Sequence, residues 1–105
     1  MSQAFHTDVA RSSDELLVRV SGELDITVRT ALVDDVGAAL QEEPPPRLVL
    51  DLGGVTFCDS SGLGALLDIR RLADEAGVAV VLRAVSAQVA RLLDLTDVDG
   101  WLTRE

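Results

Sequence analysis

At 105 residues, 48% of them hydrophobic, the chain has the length of one domain and enough apolar material for a core that needs no disulfide or metal. Eighteen acidic residues against nine basic ones leave a net charge of -9. That argues against direct nucleic-acid binding and against anionic membrane surfaces, both of which demand clustered positive charge, and it suits a basic protein partner as well as an ordinary solvated surface. Cys58 stands alone, so an internal disulfide is ruled out. No apolar stretch approaches the ~20 residues of a membrane span and no charged-then-apolar leader opens the chain, so a cytoplasmic protein without membrane insertion is expected.

Alternation over Ala4–Val9, with Phe5, Thr7 and Val9 on one side, predicts a first strand. The polar segment Arg11–Glu15 reads as a turn, and Leu16–Ser21 as a second strand completing an antiparallel hairpin. Gly22-Glu23-Leu24-Asp25 is expected to break that strand. Helical spacing of Val28, Ala31, Leu32, Val36, Ala39 and Leu40 predicts a helix over 28–41, capped by Asp25 or Thr27 and stopped by Pro44-Pro45-Pro46. Leu48–Leu52 is apolar enough to be a central strand. A helix is predicted over 61–76, ended by Gly77, then a buried strand over 78–82. Ser86 would cap a third helix carrying Val89, Leu92 and Leu93, and 100–103 would add a short last strand. The order β-β-α-β-α-β-α-(β) predicts one α/β domain over residues 1–105, with a mixed, mostly parallel sheet. Function is expected where strands hand over to helices, as at Gly22–Asp25 and at Asp59–Gly64.

Most catalytic chemistries lack their parts. A serine nucleophile needs a neighbouring base, yet the only histidine is His6 in the first strand and the chain has no lysine; all nine basic residues are arginine. Residues around Ser60 do not form the Gly-x-Ser-x-Gly elbow. Cys58, at the end of an apolar strand, reads as a buried inert thiol. Asp51 ends a central strand, as a phospho-accepting aspartate would. That chemistry also needs a lysine, which the chain lacks, and an acidic pair, for which the first strand-to-helix junction offers only Glu23 and Asp25, so Asp51 reads instead as a polar residue facing a loop amide. The glycines match neither phosphate-binding loop pattern, and one histidine and one cysteine far apart make no metal site. No enzyme activity, cofactor or metal is expected.

The stretch Phe57-Cys58-Asp59-Ser60-Ser61-Gly62-Leu63-Gly64 remains. A helix start there needs acceptors for its free N–H groups, and one serine acting as N-cap would satisfy that need. The other serine would be an exposed hydroxyl beside two glycines, Gly62 and Gly64, that let another backbone come close. A phosphoryl group on it would meet the positive end of the helix dipole and add about -1.5 to -2 charges. Residue chemistry alone leaves both readings open: a cap and nothing more, or a phosphorylation switch.

Gly22-Glu23-Leu24-Asp25, the strand Leu48–Leu52, Asp59-Ser60-Ser61-Gly62-Leu63-Gly64 and Val89-Ala90-Arg91-Leu92-Leu93 resemble, in the right order, the motifs of the STAS domain family, specifically its bacterial anti-sigma factor antagonists. The resemblance runs from about Phe5 to Leu102. It implies a small mixed sheet with helices packed mainly on one side. It also implies partner switching: the dephosphorylated antagonist binds an anti-sigma factor that is also a serine kinase and so releases a sigma factor. Phosphorylation at the position of Ser60 then breaks the complex, and a serine phosphatase resets it. Ser61 would be the capping neighbour. Asp25 and Asp59 would lie in the partner contact with Ser60, Ser61, Gly62 and Gly64. The same family includes accessory subunits of membrane transport and stress-sensing complexes that are not phosphorylated, the alternative function.

Overall fold

Leu16, Val18 and Val20 alternate with Leu17 and Arg19, and a period of two gives a strand with one face for a core. In the computed structural model, which describes residues 5–42, 46–96 and 102–105, this strand is β2 (Leu16–Leu24), paired antiparallel with β1 (His6–Arg11). The Ser12 backbone N–H donates to the Glu15 carbonyl at 3.0 Å and closes the hairpin turn. There follow α1 (Ile26–Glu42), β3 (Arg47–Cys58), α2 (Ser60–Ala76), β4 (Ala79–Arg83), α3 (Ala87–Thr96) and β5 (Thr103–Arg104).

The sheet order is β1-β2-β3-β4-β5, with β2, β3, β4 and β5 mutually parallel and only β1 reversed. Each crossover therefore steps one strand further in the same direction. Right-handed connections then put all three helices on one face. Burial follows that geometry. Leu16, Val18, Val20, Leu48, Leu50, Leu52 and Leu82 are shut from water on the helix side, with Leu32 and Val36 of α1, Leu66 and Ile69 of α2, and Leu93 of α3. The opposite face carries a row of charges in register, Asp8, Arg19, Asp51 and Arg83. Glu105 bridges Arg83 at 3.1 Å and Arg47 at 3.2 Å. The antiparallel hairpin, the element order and the one-sided helices agree with the expectations above.

Two strands are longer than their glycines suggested. β2 does not end at Ser21: Gly22, with φ 95°, lies in a stretch of shifted register, and Glu23 and Leu24 rejoin the ladder opposite Phe57 and Cys58. β3 likewise runs through Gly53 and Gly54 to Cys58. Gly54 is a close-approach glycine, because a Cβ there would stand 2.7 Å from the Ser21 Cβ on β2. Asp51 does face an amide, accepting from the Gly53 N–H at 2.9 Å. β1 starts at His6 and extends to Arg11; Ala4 lies outside the described residues, as do Pro44, Pro45, Gly100 and Trp101.

α2 ends as expected. Gly77 adopts φ 74°, its N–H donating to Asp74 and the Val78 N–H to Ala73. Val78 is thereby part of the cap, and β4 begins one residue later. Ser86 caps α3 by accepting from the Val89 N–H at 3.2 Å.

Two glycine-to-alanine changes should move stability in opposite directions. Gly77→Ala meets no atom within 4 Å, so its effect is conformational and should cost about 1–2 kcal/mol. Gly37→Ala, inside α1 with its new Cβ at an ordinary 3.5 Å from Leu72, should add about 0.5–1 kcal/mol. Urea denaturation of both variants measures the pair, and shifts of the same sign would contradict this account of the two backbones.

Candidate functional site

The strand ends Leu24 and Cys58 are register partners in the parallel β2–β3 pair, so the chain leaves the sheet twice at one level and starts a helix each time. The two exits are also tied: the Asp59 N–H donates to the Leu24 carbonyl at 3.4 Å. Each helix is capped by an aspartate. Asp25 accepts from the Thr27 N–H at 2.9 Å and from the Thr27 hydroxyl at 2.5 Å. That hydroxyl bond above all holds its carboxyl below the ordinary carboxylate range.

Asp59 has extended backbone, φ -111° and ψ -169°, and its Oδ1 accepts from the Ser61 N–H at 2.9 Å and the Gly62 N–H at 3.0 Å. The helix therefore begins at Ser60, and neither serine is the cap. This corrects the expectation that Ser61 would cap. Serine and aspartate rank alike as N-caps, and the carboxylate adds charge at the dipole's positive end. Ser60 is exposed and Ser61 half-buried.

The glycines do different jobs. Gly62 is buried against β2, where a Cβ would stand 2.4 Å from the Leu24 carbonyl oxygen and 2.8 Å from the Cys58 sulfur. Gly64 lies under the Arg29 guanidinium, with Nη1 2.5 Å from where its Cβ would be. Arg29 crosses from α1 to α2 and pairs with Asp68, Nε at 3.2 Å and Nη2 at 2.9 Å from the same carboxylate oxygen. Cys58 is buried, and burial, with the Asp59 carboxylate beside it, pushes its thiol up to about 11. Such a thiol is not a nucleophile near neutral pH. His6 stands on β1 with its ring 3.0 Å from Asp8.

Asp25, Asp59, Ser60, Ser61, Gly62 and Gly64 thus gather around the paired ends of β2 and β3. Two neighbours escaped sequence reasoning as site residues in their own right. Ile26 is 72% exposed and Phe57 41% exposed, large apolar side chains within two residues of the capping aspartates. Ile26 carries a readable signal, since it falls outside the apolar series that begins at Val28. Among the described residues, no cluster of His, Cys, Asp and Glu could hold a metal ion, and no helix is long and apolar enough to cross a membrane.

A family profile described as Mlab, STAS domain, matches residues 7–104. The chain belongs to the STAS domain family. This STAS domain is 36% identical over 81 residues to an anti-sigma F factor antagonist of Paenibacillus polymyxa, covering 77% of this chain and 69% of that one. Among solved structures it resembles an anti-sigma factor antagonist from Mycobacterium paratuberculosis at 33% identity, with a TM-score of 0.76 over 96% of this chain and 85% of that one. It also shares the fold of an anti-sigma factor antagonist solved in its unphosphorylated form, at 20% identity and TM-score 0.78, covering 97% of this chain and 88% of that one.

This STAS domain relies on the Asp59 carboxylate to cap α2. Asp59→Ala should destabilise it by about 1 kcal/mol through loss of the cap, whereas Ser61→Ala, keeping that carboxylate, should change stability by less than about 0.5 kcal/mol. Denaturant midpoints decide between them, and a larger loss from Ser61→Ala would return the cap to the serine.

Proposed function

We propose that the chain is an anti-sigma factor antagonist working by partner switching in the cytoplasm, as a regulatory binding protein with no catalysis of its own. Unphosphorylated, it binds an anti-sigma factor that is also a serine kinase, and a sigma factor is released. Phosphate on Ser60 ends the complex, and a serine phosphatase removes it. The contact surface is formed by Asp25, Asp59, Ser60, Ser61, Gly62 and Gly64, with Ile26 and Phe57 as exposed apolar anchors.

The observation that carries this reading is the exposed Ser60 hydroxyl at the first residue of α2, released from capping because Asp59 does that work. An unencumbered hydroxyl on a rigid helix start suits a modifying enzyme, and the half-buried Ser61 suits one less. The names of its relatives support the same reading, since an anti-sigma F factor antagonist and an anti-sigma-B factor antagonist of Bacillus subtilis are both similar to it.

The switch is electrostatic. A charge on exposed Ser60 is solvated in the free protein and tolerated by the helix dipole, so the fold persists. Against a partner the same charge loses water without gaining a mate from that partner, which typically costs about 2–5 kcal/mol. At ~1.4 kcal/mol per decade this weakens binding roughly thirty- to several-thousand-fold. The dipole's gain of under about 1 kcal/mol is present free and bound, and cannot offset it.

Ser60→Asp and Ser60→Glu should therefore abolish binding to the cognate anti-sigma factor with unchanged melting, while Ser60→Ala should bind and resist being switched off. Calorimetric titration with circular-dichroism melts measures both. Acidic variants that bind like wild type, or that fail only by unfolding, would sink the electrostatic switch.

A further inference from the structure

Ser60, Gly64 and Asp68 are spaced four residues apart and line one face of α2, with Gly64 about 6 Å and Asp68 about 12 Å along the axis from Ser60. Arg29 reaches that face from α1. Both helices start two residues after the paired Leu24 and Cys58, so Arg29, the fourth residue of α1, is level with Leu63, the fourth of α2. The root of the arginine thus lies between the level of Ser60 and that of Asp68. Its guanidinium passes over Gly64, which has no side chain to block movement along the groove, and ends on Asp68.

Resting on the reading of Ser60 as the phosphorylated residue, we propose that Arg29 is a two-position arm: it is held on Asp68 in the unphosphorylated protein and transfers to the phosphate once Ser60 carries one. A phosphoserine brings about -1.5 to -2 charges and three acceptor oxygens, a stronger partner for a guanidinium than one carboxylate oxygen. Asp68 is not stranded by the move. Arg71, one turn along the same helix, has Nη1 3.6 Å from its other oxygen. Gly64 is then required at its position because any larger side chain would occupy the path of the arm.

The arm has a regulatory meaning that a bare helix start lacks. Parked on Asp68, it leaves the Ser60 hydroxyl open to a kinase. Moved to the phosphate, it neutralises part of the new charge and shields it from a phosphatase. Arg29 and Asp68 would therefore set how long the off state lasts, without contributing to the hydroxyl's own reactivity.

The test uses the full chain with phosphoserine genetically encoded at 60, and reads the phosphate's second ionisation by phosphorus NMR titration. Free phosphoserine titrates near pH 6, and in the wild-type background the phosphate should titrate about 0.5–1 pH unit lower than in Arg29→Ala, because a paired cation favours the dianion. Arg29→Lys should recover part of the difference. Asp68→Asn should lower the titration point further by freeing the arm, and should do so far less when Arg29 is already alanine. The carboxylates of Asp25 and Asp59 are common to every variant, so the differences report Arg29. Thermal melts check that each variant is folded. Identical titration points with and without Arg29, in folded protein, overturn the arm; so does an Asp68→Asn shift that persists undiminished without Arg29. Because the phosphate is encoded, these outcomes are independent of any kinase. Failure of every candidate kinase to modify Ser60 would strike the proposed function instead.

Discussion

At Gly62 the backbone of α2 lies directly against the backbone of β2, where a Cβ would come within 2.4 Å of the Leu24 carbonyl oxygen. Nothing larger than hydrogen fits, and the obstructing atom is main chain that cannot rotate away. That contact, with the Leu24–Cys58 pairing beneath it, draws two turns 34 residues apart into one surface. The capping aspartates, the exposed Ser60, and the crossing of Arg29 onto α2 all follow from helices that begin side by side and level.

Division of labour at the helix start matters as much. Capping by Asp59 satisfies two free N–H groups with one carboxylate and spends neither serine hydroxyl. The two helices also run parallel from this end, so the positive poles of both dipoles face the same patch. In a chain of net charge -9 those two poles help the fold to tolerate an added anion there. Tolerance within the fold and intolerance within a complex are the two halves of an electrostatic switch.

Hydrophobic periodicity made the hairpin and the three helices legible, because each buries one face at its own period, and short unbroken apolar runs did the same for β3 and β4, where consecutive Leu48, Val49 and Leu50 are all buried. Gly77 was legible for the same reason: a left-handed cap follows the last helical turn. Extents of β2 and β3 were not. Locally Gly22, Gly53 and Gly54 look like turn residues, and only the neighbouring strand shows that they carry a register shift and a close approach. The cap was ambiguous because Asp59, Ser60 and Ser61 are all good N-caps and the choice depends on where the strand ends. The Arg29–Asp68 pair joins residues 39 apart and depends on helix alignment, which no local pattern encodes. The specific interest of Ser60 came from the motif's resemblance to a family, whose membership the profile match bears out.

Chemical-shift mapping of the isotopically labelled protein, titrated with its cognate anti-sigma factor, tests most directly whether the two turns act as one surface. Residues 23–29 and 57–64 should shift together and saturate at the same stoichiometry. If those residues stay unmoved while changes gather along the far halves of α1 and α2 near Gly37 and Leu72, or on the charged face of the sheet, the paired strand ends are not the partner surface.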